Sequence, residues 1–239
     1  MKLLFLIAAL LGGCAPETSQ QSPAAVEIPT LSPQARALIA PVAESIADEQ
    51  ARQAALPPPV DDRERLERMG RLDQVGRRVW NTIDLSGLPV GERQRADAAI
   101  GLSIQAVDRV HQAQLLAMVP PEGWFLRSRY GEAASSAAFL IVQHGNLDLW
   151  QRFVPVLEPL VAIGEVRGES YGLMYDRLAI NEGRPQRYGT QMTCKAGKWV
   201  IDHANLEDPE HADERRAAMG FRWTLADYEA LFADCPPCT

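Results

Sequence analysis

The sequence has few of the residues from which metal and thiol sites are built. Its 239 residues include four cysteines and four histidines, and no two histidines have the His-x-x-x-His spacing of a helical zinc site. Basic residues are outnumbered, 24 against 31 acidic ones, which gives a formal charge of −7 and argues against a nucleic-acid partner. We therefore predict no bound metal, no cofactor and no nucleic-acid partner.

The sequence also lacks an apolar run long enough to span a membrane near its N-terminus. Leu3 to Leu11 is unbroken but short, since a helix needs about 20 apolar residues to cross a bilayer. Its length is typical of the apolar region of a signal peptide. Leu11-Gly12-Gly13-Cys14 resembles the lipobox of bacterial lipoproteins. That resemblance implies lipidation of Cys14, and Ala15 after it implies outer-membrane sorting, with the protein facing the periplasm of a Gram-negative bacterium.

Composition divides the chain into five predicted segments. A tether rich in Pro, Ser, Gln and Thr follows the signal peptide, and Ser32-Pro33 then begins a helix that is either a stalk or loosely packed. The Pro57-Pro58-Pro59 run ends it. The segments are a lipoprotein signal peptide (1–13), a flexible tether (14–31), an N-terminal helix or stalk (32–59), a helical domain (60–234) and a cysteine-containing tail (235–239).

Three cysteines remain once Cys14 is lipidated. Cys235 and Cys238 have Cys-x-x-Cys spacing, but they lie at the extreme C-terminus, without the strand-to-helix context of a redox motif. An oxidising compartment favours disulfides. We expect a structural disulfide between Cys194 and one of the two tail cysteines.

Apolar periodicity predicts a mainly α single domain with a small β-hairpin in its C-terminal third. The strands are predicted at 186–194 and 199–202, around a Lys195-Ala196-Gly197-Lys198 turn. Helices are predicted at 32–56, 61–82, 92–118, 128–144, 147–161, 169–180, 209–219 and 224–232.

Polar residues interrupt the apolar faces of these helices. Asp73 lies on the stripe of Leu66 and Trp80, and Arg77, four residues later, can reach its carboxylate. His111 and His144 fall on apolar faces of later helices. A buried carboxylate costs several kcal/mol unless it is paired, so Asp73 is expected to have a partner. These positions predict either a ligand or catalytic site, or a buried network that fixes the helices in register.

A second polar stretch follows further along the chain. Asp176-Arg177 stands between apolar residues, and 185–191 carries an unusual density of hydrogen-bonding side chains for a strand, including Gln186, Tyr188 and Gln191.

These residues, in this order, resemble a bacterial family known as domain of unknown function 6624. The resemblance covers about residues 60–232, and its specific elements are Gln143-His144 and Pro185-Gln186-Arg187-Tyr188-Gly189-Thr190-Gln191. Gly145-Asn146 stands where Ala-Asp is expected. The family brings no established activity. It implies that one constellation is formed by Asp73, Arg77, His144, Asp176, Arg177, Gln186, Tyr188 and Gln191.

Two classes of function fit this constellation. In a hydrolase, His144 would be the general base, because histidine titrates nearest neutral pH, and Asp73 or Asp176 would orient it. Arg77 or Arg177 would bind an anionic group of a small polar substrate, with Gln186, Tyr188 and Gln191 as further substrate contacts. No nucleophile stands out among these candidates. A metal version would use His111 and His144 with one aspartate. The alternative is a binding module of the cell envelope that holds a polar ligand without chemistry.

Overall fold

The computed structural model describes residues 30–233, 235 and 238. The predicted signal peptide, Cys14 and nearly all of the predicted tether lie outside the described residues. Within them the fold is mainly α with one small antiparallel hairpin, as predicted. The helices are α1 (Pro33–Ala54), α2 (Asp62–Trp80), α3 (Val90–Met118), α4 (Arg127–Tyr130), α5 (Glu132–Gln143), α6 (Leu147–Ala162), α7 (Gly168–Asn181), α8 (Ala212–Ala218) and α9 (Leu225–Ala230).

The first three helices pack against one another. Ser32 and Asp61 cap α1 and α2 through their side-chain oxygens, as their sequence positions indicate. Val42 and Ile46 of α1 are buried in a cluster shared with α2 and α3. The sequence left open whether the first helix is a stalk or packs loosely. In the structure it packs against α2 and α3.

Close approach of α2 and α5 depends on Gly70. A Cβ atom built there would lie 2.6 Å from the Cβ of Ala137, which is inside van der Waals contact. The two helices meet along this small-residue contact, and a larger cluster around α5, α6 and α7 adds Trp124, Phe125 and Phe153.

One predicted helix is two helices in the structure. The chain expected to be helical over 128–144 turns at Gly131, whose φ of +81° separates α4 from α5. Glycine tolerates this left-handed region, which other residues rarely adopt.

The hairpin is shorter than predicted. Strand β1 (Met192–Lys195) pairs with β2 (Lys198–Ile201), with Cys194 opposite Trp199. Residues 186–191 are a loop and not a strand, because the backbone folds around the Asp176 side chain and Gly189 has a φ of +64°.

A disulfide joins Cys194 of β1 to Cys238, as expected. Cys238 therefore pairs with the first strand of the hairpin and not with the other cysteine of its Cys-x-x-Cys motif. No helix among residues 30–233 is both long and apolar enough to cross a membrane.

Candidate functional site

The candidate site lies between α2, α3 and the C-terminal end of α5. Asp73 and Arg77 are one turn apart on α2, and Asp108 and His111 are one turn apart on α3. His144 is the C-cap residue that directly follows α5. Asp73, Asp108 and His111 are all buried, at 2, 6 and 3% exposure, so the chain has placed three ionisable groups inside the helix packing.

Arg77 bridges the two carboxylates. Its Nη1 donates to Asp73 Oδ1 at 3.2 Å and to the Asp73 backbone carbonyl at 2.8 Å. Its Nη2 donates to both oxygens of Asp108, at 3.0 and 2.8 Å. One guanidinium therefore neutralises charge on two helices at once, which is the pairing that buried carboxylates require.

His144 completes the group through its ring. Nδ1 lies 3.1 Å from Asp73 Oδ1. Because Arg77 and Gln74 donate to this carboxylate, Asp73 is ionised. It therefore accepts a hydrogen bond from His144, whose Nδ1 carries the proton. The His144 side chain is 19% exposed while that of Asp73 is 1% exposed. In the tautomer that keeps its proton on Nδ1, the lone pair is on Nε2.

Burial and charge act in opposite directions on the two aspartates. Burial alone would raise the pKa of Asp73, but His144, Arg77 and Gln74 together hold it well below its usual range. For Asp108 burial is the larger influence, and its pKa is raised despite Arg77. Asp73 is therefore the fixed anion of the pair.

His111 is the buried neighbour of this ion pair. Burial lowers its pKa, with opposing effects from the charges of Asp73 and Arg77, so it is neutral at physiological pH. Its Nδ1 is buried and has no hydrogen-bond partner among the described residues.

The backbone that carries His144 is held by three helices. Trp150 Nε1 of α6 donates to the carbonyl of Val142 at 3.0 Å, Arg177 Nη1 of α7 to that of Gln143 at 2.8 Å, and Gln112 Nε2 of α3 to that of His144 at 3.1 Å. These carbonyls lie in the last turn of α5, where helical N–H partners run out, and that of Val142 also accepts from the N–H of Gly145 at 2.9 Å. The three side chains add hydrogen bonds there and hold the backbone that carries the histidine.

Asp176 has a different environment. Fully buried on α7, its carboxylate accepts hydrogen bonds from the backbone N–H groups of Arg187, Tyr188 and Thr190, at 2.7 to 3.2 Å. This contact shapes the 186–191 loop. The hydrogen bonds described for this carboxylate come from the loop, whereas His144 contacts Asp73.

The amide side chains of residues 186–191 form hydrogen bonds within the same loop. Gln186 donates to the carbonyl of Gln191 and accepts from its N–H, at 3.0 and 2.8 Å. Tyr188 is buried with its ring stacked on Phe221. Arg177 connects the two regions, since its Nε lies 3.5 Å from Gln191 Oε1 while its Nη1 holds the carbonyl of Gln143. The predicted constellation is thus two neighbouring polar clusters joined through Arg177.

Sequence reasoning missed Asp108, although a signal was present. Asp108 lies four residues after Ile104 and seven before Leu115, both of which are buried on the inward face of α3. A charged residue at such a position has the same significance as Asp73 on α2.

Sequence reasoning also missed a Gly-x-Ser-x-Gly pattern at 168–172. In a nucleophile elbow the serine lies on a sharp turn between a strand and a helix, whereas Ser170 lies in the first turn of α7, after a loop. The two glycines have a packing role, because Cβ atoms there would lie 2.2 Å from the Met219 carbonyl oxygen and 2.6 Å from the Phe221 ring.

The departure at 145–146 has a structural explanation. Asn146 caps α6, with Oδ1 accepting from the N–H of Leu149 at 3.1 Å. Asparagine and aspartate are comparable in this position. A Cβ at Gly145 would lie 2.9 Å from the carbonyl oxygen of Val142, so the glycine allows a tighter connection between α5 and α6.

One set of side chains has the composition of a metal site. A ligand atom from each of Asp73, Asp108 and His144 lies within 4.8 Å of the others. Arg77 already donates to both carboxylates, so a cation would have to displace a guanidinium. The donor set suits a metal, but the charge already beside it opposes one.

Comparison with known proteins identifies one family. The model of a family of unknown function, DUF6624, matches residues 61–236. No curated protein and no solved structure gave a match.

Proposed function

Because this chain belongs to the family of unknown function DUF6624, whose name assigns no activity, we propose from the site itself that the domain is a hydrolase with His144 as general base. The observation that carries the proposal is the contact between His144 Nδ1 and the buried Asp73 carboxylate. A carboxylate on Nδ1 selects the tautomer whose Nε2 can accept a proton.

The proposed reaction uses water as nucleophile. His144 Nε2 takes a proton from water while the water oxygen bonds to the electrophilic atom of the substrate. The bond to the leaving group then breaks, and the leaving group takes the proton from Nε2. Asp73 keeps its negative charge throughout and stabilises the imidazolium, which makes it a positioning residue.

Two arginines hold this arrangement in place without contacting the imidazole in the hydrogen bonds described. Arg77 holds Asp73 against Asp108, and Arg177 holds the backbone next to His144.

The proposed substrate is small and polar or anionic. Asp176, Gln186, Tyr188 and Gln191 shape the loop beside Arg177, and in this proposal that loop borders the substrate.

The test compares two His–Asp pairs of the same chain. Purified protein is assayed with p-nitrophenyl acetate and p-nitrophenyl phosphate, together with His144→Gln, Asp73→Asn and His211→Gln. His211 also contacts an aspartate, Asp208, but both are exposed. We expect the His144 variant to lose about 100-fold or more of the rate and the His211 variant to keep it. Equal rates for wild type and His144→Gln on both substrates would refute the proposal.

We also propose that a lipid on Cys14 anchors the domain to the outer membrane, facing the periplasm. The supporting observation is the Leu11-Gly12-Gly13-Cys14 sequence after a short apolar run. Labelling cells with an alkynyl fatty acid should mark the protein, and Cys14→Ser should remove the label and release the domain to the soluble periplasmic fraction. An unlabelled wild-type protein would contradict the anchor.

A non-catalytic binding module is the second candidate. It is favoured by the complete pairing of Arg77 with Asp73 and Asp108, which would keep those carboxylates from reacting. In this case a ligand should protect the protein thermally, while His144→Gln should change affinity without removing any turnover.

A further inference from the structure

A cavity of about 110 Å³ lies between α4, α5 and the first turn of α7. His144 does not line it. A water-sized group occupies about 30 Å³, so the space suits roughly four non-hydrogen atoms. The lining residues that determine its chemistry are Arg127, Glu132, Ser135, Phe139, Val166 and Arg167.

Two guanidinium groups at this cavity hold the same carboxylate. Arg127 Nε lies 3.0 Å from one oxygen of Glu132, and Arg167 Nη2 lies 2.6 Å from the other. Arg127 begins α4, Arg167 directly precedes α7, and Glu132 begins α5, so three separate segments meet at this carboxylate. The two arginines are therefore already positioned to bind a carboxylate between them, and Glu132 supplies it.

The hold on Glu132 is weak enough to be exchanged. The side chains of Glu132, Arg127 and Arg167 are 45, 42 and 52% exposed. Ion pairs between exposed side chains contribute little to stability, because water solvates the separated charges nearly as well. A carboxylate from solution can therefore replace that of Glu132 at small cost.

The second acidic residue of the lining is engaged elsewhere. Glu165 accepts from the backbone N–H of Ser128 at 2.9 Å, which holds its carboxylate at the start of α4. When Glu132 turns away, the cavity has two cations beside this single anion. A negatively charged occupant is then favoured.

A buried hydroxyl lies one turn further along α5. Ser135 is 5% exposed and lines the cavity. Its Oγ forms no hydrogen bond with the described residues and, unlike Trp124 Nε1 and Gln143 Oε1, it is not sealed from solvent. Residues three apart on a helix have Cβ atoms about 5–6 Å from each other, so this hydroxyl is within reach of a group seated where the Glu132 carboxylate now lies. A buried polar group usually has a partner, and the cavity is where one can enter.

We propose that this cavity binds a short-chain carboxylate, which replaces the Glu132 side chain between Arg127 and Arg167. The carboxylate oxygens of the ligand accept from the two guanidinium groups and from the hydroxyl of Ser135. Its hydrocarbon chain extends along α5 against the Phe139 side of the cavity. Glu132 turns into solvent on binding, so its side chain is an internal competitor of the ligand.

This site does not depend on His144 acting as a base. Its cations belong to Arg127 and Arg167, and its occupant need not be hydrolysed. A failure of the hydrolase assay would leave the carboxylate site untouched, and the reverse also holds.

The test follows the backbone amides of Ser135 and Ser136 by NMR. The folded, ¹⁵N-labelled protein is titrated at neutral pH with sodium butyrate, and the ionic strength is kept constant with sodium chloride. Butyramide, which has the same carbon chain without the charge, is titrated separately. We expect saturable shifts of both amides with butyrate and a much smaller response to butyramide.

Two pairs of variants test the roles of the charged side chains. Glu132→Gln removes the internal competitor and should bind butyrate up to about fivefold more tightly than wild type. Glu207→Gln removes the same charge from another exposed ion pair and should leave the affinity unchanged. Arg167→Gln should weaken binding about tenfold, whereas Arg52→Gln, at an exposed pair of α1, should not change it.

Three results would overturn the proposal. The first is a titration with butyrate that does not saturate, and the second is an equal response to butyrate and butyramide. Both are read on the wild-type protein, so they do not rely on a variant that folds. The third is a Glu132→Gln variant that binds butyrate no more tightly than Glu207→Gln, which would show that Glu132 does not occupy the ligand's position.

Discussion

Arg77 on α2 and Asp108 on α3 form a two-point ion pair, with Nη2 lying 3.0 and 2.8 Å from the two carboxylate oxygens. The same guanidinium holds Asp73 through Nη1. Two buried carboxylates thus share one cation, which makes Arg77 the electrostatic centre of the helix packing.

Replacement of Arg77 should therefore be costly. Arg77→Met leaves Asp73 and Asp108 buried without their cation, and we expect the free energy of unfolding to fall by about 3–5 kcal/mol. Arg78→Met, one residue away on the exposed side of α2, is the matched control and should change it by less than about 0.5 kcal/mol. Urea denaturation measures both. Equal effects would show that the bridge contributes little.

The response to zinc should depend on Arg77. With the guanidinium in place, we expect ZnCl₂ to leave the wild-type Tm unchanged. In Arg77→Met the carboxylates of Asp73 and Asp108 and the imidazole of His144 become a set of ligands that suits zinc, and zinc should raise the Tm. Arg77→Met/His144→Gln should lose that rise. A zinc-stabilised wild type that loses its response in His144→Gln would contradict this prediction.

Stability should fall in acid because of Asp73. The pKa of its carboxyl is lower in the folded protein than in the unfolded chain. Such a group contributes stability above its unfolded pKa, and this stability is lost as the pH falls through the folded pKa. We expect the free energy of unfolding to decline below about pH 4.

Asp73→Asn isolates this contribution, because asparagine can still accept a hydrogen bond from His144 but does not titrate. The variant should be less stable than wild type at pH 7, and the difference should narrow as the pH decreases from 5 toward 2, the range in which carboxyls protonate. Chemical denaturation at a series of pH values gives both curves. A difference that is constant with pH would mean that Asp73 is not the titrating group.

Two glycines in helices should respond oppositely to alanine. Gly70→Ala places a methyl group 2.6 Å from the Cβ of Ala137, so α2 and α5 must separate, and we expect a loss of about 1–3 kcal/mol. Gly101→Ala in α3 meets nothing within 4 Å and should add up to about 1 kcal/mol from helix propensity. Thermal unfolding of the two variants tests the sign of each stability change. A Gly70→Ala variant more stable than wild type would contradict the close contact between α2 and α5.

The amides that Asp176 holds should exchange slowly. In wild type we expect protection of the Arg187, Tyr188 and Thr190 N–H groups, which donate to this carboxylate. Asp176→Ala should expose all three to hydrogen exchange, while the amides of α2 keep their protection. Measurement by NMR resolves each amide. Unchanged protection in the variant would show that the loop has another support.

Much of the fold could be read from the sequence because its signals are local. Ser32 and Asp61 begin helices as caps, and the apolar stripe of α2 carried Asp73 as its exception. The break at Gly131 and the loop at 186–191 could not be read in this way. The first depends on one left-handed residue, and the second on a carboxylate ten residues before the loop, whose effect on the backbone is tertiary.

The candidate site was predictable only in part, for a similar reason. Periodicity identifies Asp73 and His111 as inward-facing, but it does not say which groups meet. The contact between Asp73 and His144 spans 71 residues, and the bridge from Arg77 to Asp108 spans 31. The family resemblance implied one constellation, whereas helix packing divides it into a His–Asp–Arg cluster and an Asp176 loop.

The three side chains that hold the end of α5 act on backbone carbonyls, and none of them touches the imidazole of His144 in doing so. The hydrogen bonds that hold the junction between α5 and α6 therefore do not depend on which side chain stands at residue 144. A substitution there can remove a proton acceptor without removing a structural support. This scaffold can consequently accept different chemistry at one position while the surrounding helices stay in place.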